Sequence, residues 1–312
     1  MKIGIDIMGG DFAPEATVQG TLLALKCIPE DVKLVLIGNK EEIENISKSE
    51  LKKFSNVEII HTTEFISMGD HPAKAFSSKT NASIVLGFKL LQKGDIDGFA
   101  SAGNTGAMLV GAMHVVKSIP GVIRPCITIA VPKHANKRTI ILDVGINPDS
   151  KPDVLYQYAI LGSLYAEYMY NVKSPKVGLL NIGTEEEKGN LLTKTTYQAM
   201  KDTNDFNFIG NVESSDLFDE KVDIIVCDGF VGNVILKEIE AFYYLFKKLK
   251  IENNFFENFN FINYGGTPIL GINAPVVIGH GISNAKAIKN IILNTIEVIR
   301  AGLIDKYKEA FK

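Results

Sequence analysis

Four short stretches of the chain share one pattern: an apolar, β-like run stops at a turn rich in Gly, Asn, Thr and Ser. They are FASAGNTGAM (Phe99 to Met108), ILDVGINPDSKP (Ile141 to Pro152), GLLNIGTEEEKGN (Gly178 to Asn190) and IIVCDGFVGN (Ile224 to Asn233). An open α/β sheet needs such transitions at the carboxyl ends of its strands, where ligands bind. Small residues let the backbone approach a ligand, and free N–H groups in such turns hold anions. The pattern points to an enzyme that handles a phosphate-sized anion rather than to a binding scaffold.

The rest of the chain supports that architecture. Lys2 to Met8 alternates as a strand and ends at Gly9-Gly10-Asp11; Pro14 fits the first turn of a helix over Ala16 to Lys26. Further strands are expected at Val32 to Ile37, Val57 to Thr62, Gly98 to Ala100, Cys126 to Val131, Thr139 to Asp143, Lys176 to Leu180, Asn207 to Ile209 and Val222 to Cys227. Helices are expected at Glu41 to Phe54, Ala82 to Lys93, Ala107 to Val116, Pro152 to Tyr170 and Ala285 to Ala301. This alternation places helices on both faces of a largely parallel sheet. One stretch departs from it. Nine of the chain's 27 aromatics fall between Phe242 and Tyr264, which reads as a helical hairpin, or a helix and loop, projecting from the sheet.

Composition narrows the function. With 312 residues, 46% apolar, the chain can bury a sizeable core. A net charge of −3 gives no basic excess for nucleic acid. Three scattered cysteines make neither a disulfide framework nor a zinc spacing, so a reducing compartment is expected. The N-terminus lacks the apolar centre of a signal peptide and no window spans a bilayer, which predicts a cytoplasmic protein.

Several residues are candidates for the chemistry. Ser101, Gly103, Asn104 and Thr105 precede a helix and make either an anion site or a capped turn. In Asn181, Gly183, Thr184, Lys188 and Asn190, Lys188 is a candidate phosphate cation; alternatively Thr184 and Glu187 form a capping box. Asp143, Asn147 and Lys151 crowd one turn, and Asp143 either orients a reacting group or holds the turn backbone. Asp228, with Gly229 and Asn233, repeats that placement. No carboxylate or His cluster with metal-ligand spacing accompanies these aspartates. Cys227, inside an apolar strand, reads as a buried thiol. His280, between Gly279 and Gly281, is a candidate donor or a structural hydrogen-bonding group. Neither GxGxxG nor GxxxxGK[ST] occurs at the Ser101 turn, and no GxSxG elbow is present.

Taken together and in order, DIMGGDFAPE (Asp6 to Glu15), SAGNTGAM, LDVGINPDSKP, LLNIGTEEEKGNLLTK, FIGNVESSDL, VCDGFVGNVILK and YGGTPILGINAPVVIGHGISNAKAIKN (Tyr264 to Asn290) resemble the bacterial PlsX family of phosphate acyltransferases. Phe12 stands where that family's pattern has His, so no role for a His carries over there. The resemblance implies a three-layer α/β/α fold with a mixed, largely parallel sheet. That fold is like those of the phosphotransacetylases and the isocitrate and isopropylmalate dehydrogenases, with a protruding helical excursion. It implies subdomains of residues 1–95 plus 270–312 and 96–269, the excursion falling at about 238–264. It also implies a reaction, acyl-[acyl-carrier-protein] plus inorganic phosphate giving acyl phosphate and free carrier, with no cofactor and no metal.

On this reading His280, Asp228, Lys188 and Asn181 are catalytic. Gly9, Gly10 and Asp11 join the turn residues above as substrate contacts, and Phe255 and Phe256 form an exposed tip touching a membrane. The implied partners are a second copy of the chain, acyl carrier protein, phosphate, a membrane glycerol-3-phosphate acyltransferase that consumes the product, and the inner membrane face. The alternatives are a phosphotransacetylase-type enzyme using an acyl-CoA thioester and a non-catalytic membrane-surface scaffold.

Overall fold

A computed structural model describes the backbone of residues 1–312 and every side chain except those of Asn136 and Phe261. The strands are β1 (Lys2–Asp6), β2 (Lys33–Gly38), β3 (Val57–His61), β4 (Gly98–Ser101), β5 (Cys126–Pro132), β6 (Arg138–Leu142), β7 (Lys176–Leu180), β8 (Asn207–Val212), β9 (Ile224–Val226), β10 (Thr267–Leu270) and β11 (Val276–Ile278). The helices are α1 (Glu15–Leu25), α2 (Lys40–Ser47), α3 (Pro72–Ser78), α4 (Ser83–Lys93), α5 (Thr105–Gly111), α6 (Pro152–Tyr170), α7 (Leu191–Met200), α8 (Gly229–Lys248), α9 (Asn254–Glu257), α10 (Ala285–Arg300) and α11 (Leu303–Ala310).

Two compact units result: Met1–Ser118 with Phe261–Arg300, and Ile119–Asn260 with Ala301–Lys312. The boundaries read from sequence, 95/96 and 269/270, differ from these for local reasons. β4 pairs with β1, which draws the following α5 into the first unit, and α11 packs on α6 in the second.

The first unit orders its strands β3-β2-β1-β4-β11-β10, parallel except for β10 against β11. Strand alternation sets its two faces. Ile3, Ile5 and Ile7 pack with Val18 and Leu22 of α1 and Ile288 and Ile292 of α10. On the other face Phe99 meets Phe88 of α4 edge-on, with ring centroids 5.2 Å apart.

The second unit orders its strands β5-β6-β9-β7-β8, with β5 antiparallel to β6 and the others parallel. Ile141 and Ile225 pack under Ile235, Leu236 and Ile239 of α8. On the opposite face Leu142 and Ile224 lie against Gly162 of α6. Each unit is therefore a sheet between helical layers, as expected.

Several local expectations change. The run Glu41 to Phe54 is not one helix: Lys48 and Ser49 take left-handed φ values of 46° and 69°, and a short 3-10 turn follows. The helix expected from Ala107 begins at Thr105 and passes into a π turn at Ala112–Val116. α8 begins at Gly229, well before the aromatic stretch. The tip phenylalanines do not stand out from the surface. Phe256 stacks on Phe246 at 4.3 Å, Phe255 stacks on His134 at 5.2 Å, and both are half-buried. The Phe261 ring, also in that stretch, lies outside the described residues. No described helix is long and apolar enough to cross a membrane.

Candidate functional site

In the first unit, adjacent parallel strands β1, β4 and β11 each end in one of the polar turns. The register Ile5↔Ala100 sets Asp6 beside Ser101, and Ile278 pairs with Ser101 on the other side. Ser101 Oγ donates to Asp6 Oδ2 at 2.6 Å and accepts from the Gly103 N–H at 2.9 Å. The Met8 N–H donates to Asp6 Oδ1. Gly9 closes over this pair so tightly that a β-carbon there would meet Asp6 Oδ2, Ser101 Oγ and Gly103 N.

The third turn is tied in by its backbone. The Asp11 N–H donates to the Gly281 carbonyl at 2.7 Å and the Gly279 N–H to the Ser101 carbonyl at 2.8 Å. Gly9, Gly10, Asp11, Ser101, Gly103, Asn104, Thr105 and His280 thus share one edge of one sheet. Asp11 and Thr105 are exposed there and His280 is half-buried.

Asn104 has a narrower role than its residue type suggested. Its Oδ1 caps α5 by accepting from the Ala107 N–H, and its Nδ2 donates to the carbonyls of Ser67, Met68 and Asp70. Both ends of the amide are committed to the protein, so Asn104 shapes the turn.

Asp6 was missed in the sequence because it sits in an alternating apolar strand. Its place as the last inward residue before a glycine turn was the available signal. Burial pushes its carboxyl above the usual value, and the hydrogen bond from Ser101 opposes the shift.

The second unit repeats the scheme at the carboxyl ends of β6, β9 and β7. Asp143, fully buried, accepts N–H bonds from Ile127, Ile146 and Asn147 and a bond from Asn147 Nδ2. This is the turn-holding role. Burial still raises its pKa, with the Asn147, Ile127 and Ile146 N–H groups opposing.

Asp228 Oδ1 caps α8 by accepting from the Phe230 and Val231 N–H groups, and the Gly229 N–H donates to the Asn147 carbonyl. Gly232 lies against the Asp143 carbonyl with no room for a β-carbon. Cys227 is buried and its thiol pKa is pushed well up by burial, consistent with an inert group.

The Asn181 loop corrects one expectation. No helix starts at Thr184; Asn190 caps α7 by accepting from the Thr193 N–H. Asn181 Nδ2 donates to the Lys188 carbonyl, and Asn211 Nδ2, from the end of β8, donates to the Glu185 carbonyl. The loop is therefore fixed by two carboxamides while Gly183 is buried inside it. Lys188, Thr184, Lys151 and Asn233 are exposed, and the Lys188 ammonium makes no ion pair or hydrogen bond among the described residues. Among the described residues no group of three or more His, Cys, Asp or Glu is placed to hold a metal ion. Chemically, the edge of the first unit offers backbone N–H groups, hydroxyls and an imidazole, and that of the second offers backbone N–H groups, a hydroxyl and an exposed cation; each set is of the kind that holds an anion.

Comparison with known proteins agrees with this chemistry. Residues 1–253 match the family described as "Fatty acid synthesis protein". The chain is 43% identical to a phosphate acyltransferase of Dictyoglomus turgidum, covering 94% of this chain and 92% of that one. It is 39% identical to a phosphate acyltransferase of Brevibacillus brevis, covering 100% and 98%. Among solved structures, EutD phosphotransacetylase from Staphylococcus aureus superposes with a TM-score of 0.62 at 16% identity, covering 96% of this chain and 94% of that one. A branched-chain phosphotransacylase from Enterococcus faecalis superposes with a TM-score of 0.63 at 15% identity, covering 96% and 99%. At such identities the structural likeness speaks for the fold alone.

Proposed function

Because the chain belongs to the phosphate acyltransferase family, we propose that it transfers an acyl group from acyl carrier protein to inorganic phosphate in phospholipid synthesis. The observation that carries this reading is the family match across nearly the whole chain, which takes in every polar turn described above. A phosphate oxygen attacks the thioester carbonyl carbon, the C–S bond breaks, and the carrier leaves as a thiolate that takes up a proton. Phosphate is already nucleophilic at neutral pH, so no covalent enzyme intermediate is needed. Holding it beside the thioester lowers the barrier by up to about 7–11 kcal/mol. A donor aimed at the developing oxyanion adds roughly 10²–10³ in rate.

In this reading Lys188, Thr184 and Thr105 contact phosphate, and His280 donates to the thioester or phosphate oxygens. Gly9, Gly10, Asp11, Lys151 and Asn233 complete the substrate contacts. Asp228, Asp143, Asn147, Asn181, Asn190 and Asn104 hold the turns in place. A second copy of the chain packs on the exposed face of α8. Peripheral membrane contact falls to exposed Leu249 and Ile251 beside Lys248 and Lys250, rather than to Phe255 and Phe256. A membrane glycerol-3-phosphate acyltransferase consumes the product.

The test is an assay of purified protein with phosphate and either acyl-ACP or acyl-CoA, trapping acyl phosphate with hydroxylamine. Phosphate-dependent acyl hydroxamate from acyl-ACP is expected. Turnover with acyl-CoA that equals or exceeds it would replace this reading with the phosphotransacetylase one.

A further inference from the structure

At the amino ends of β6, β7 and β9, the edge of the second unit's sheet opposite its polar turns, lies a cavity of about 380 Å³. That is within the size range of small-molecule sites. One wall is apolar, formed by Ile140, Ala166, Val172 and the Tyr170 ring. The other side is cationic: among the described residues, Lys133, Lys137, Arg138 and Lys176 face two carboxylates, Glu220 and Asp223. Neither the acyl transfer nor its phosphate contacts use any of these groups.

Both carboxylates are already engaged. Glu220 pairs with Lys137 at 2.8 Å, and Asp223 accepts from the Lys176 backbone N–H at 2.9 Å. Lys133 is buried; its ammonium donates to the carbonyls of Asp219 and Val222 and stands 3.9 Å from Asp223. Burial lowers the Lys133 pKa, and the positive charges of Lys137 and Lys176 add to that, against Asp223 and Glu220. The Arg138 guanidinium lies 5.1 Å from the Tyr170 ring centroid. The Lys176 ammonium has no ion pair or hydrogen bond among the described residues. The carboxyl end of α6 attracts cations in any case. That accounts for charge near Tyr170, but not for a concavity with an apolar wall and two more cations than anions.

We propose that this cavity binds a small amphiphilic anion. Its phosphate or carboxylate head sits among Arg138, Lys176 and Lys137, and its short apolar body lies against Ile140, Val172 and Tyr170. Arg and Lys give the head charge-assisted bonds, and the apolar wall selects against a bare inorganic ion.

The experiment is hydrogen exchange of the full chain with hexyl phosphate, hexanoate or inorganic phosphate at equal concentrations. It is read in residues 133–142 and 166–177, away from the polar turns. Protection there by hexyl phosphate or hexanoate is expected, and whichever protects more identifies the head. Arg138→Gln with Lys176→Gln should weaken the affinity by about tenfold or more. Both residues are exposed, so the unliganded unfolding midpoint should match wild type; if it does not, Lys176→Gln alone carries the comparison. The site is overturned by no protection from either amphiphile, or by equal protection in the variant. Inorganic phosphate protecting as well as hexyl phosphate would overturn the amphiphile assignment.

Discussion

Single residues divide here into those that face outward with capacity to spare and those locked beneath them. Lys188 is of the first kind. Lys188→Ala should raise the phosphate KM or lower kcat by about tenfold or more, because a charge-assisted contact is lost. Steady-state kinetics at varied phosphate decides it, and wild-type constants would remove Lys188 from the site. Asp6 is of the second kind. Burial raises its carboxyl pKa above the ordinary value, against the hydrogen bond from Ser101, so folding shifts it toward the neutral form relative to the unfolded chain. The sign follows from linkage: Asp6 opposes stability at neutral pH, and that opposition fades as pH falls through its raised folded value toward 3.8. Urea unfolding of wild type and Asp6→Asn at a series of pH values from about 7.5 down to the acid limit of the fold should show wild type gaining on the variant as pH falls. A difference that does not move with pH would rule this out. Asp6 was hidden in the sequence because one carboxylate among Ile3, Ile5 and Ile7 looks like the polar face of an ordinary strand. Only the neighbouring β4 reveals that this face is covered.

At the level of elements, the strands and the long helix Pro152–Tyr170 were legible because β-branched runs and a proline at the helix start are local signals. Two of the errors share one cause, nonlocal closure. Thr184 with Glu187 has the local form of a capping box, yet Asn211 from β8 holds the Glu185 carbonyl and delays the helix to Leu191. GFVGN looks like a turn because of its glycines. It is a helix start, and Gly232 is there because α8 comes down onto the Asp143 carbonyl. Asn190→Ala should therefore cost roughly 0.5–2 kcal/mol, the usual worth of an N-cap. Chemical denaturation measures it, and an unchanged midpoint would mean that the cap bond contributes nothing net. Gly232→Ala should be far more damaging than the 0.5–1 kcal/mol gain that Ala usually brings to a helix interior, since its β-carbon has nowhere to go. Wild-type stability in that variant would contradict the close approach.

For the whole molecule, the aromatic stretch and the discontinuous chain matter most. Val231, Val234, Phe242 and Leu245 recur at helical spacing along α8, and all four are exposed, Val234 by 52%. Such a stripe normally meets a partner. Phe242→Glu with Leu245→Glu should shift light scattering from dimer to monomer, and a wild type that is already monomeric would remove this face as a dimer contact. The other feature is that the first unit is built from two distant runs of the chain, with α1 packed against α10 and β11 beside β4. On a ribosome, residues 1–118 emerge long before 261–300. Until the last part is made, Val18, Leu22 and Ile5 lack the Ile288 and Ile292 that cover them, and β4 presents a bare edge. The second unit has nearly all its sequence in one run and can close first. Synthesis thus leaves a long interval in which the nascent amino-terminal segment needs shielding, the period when chaperones and aggregation compete for it.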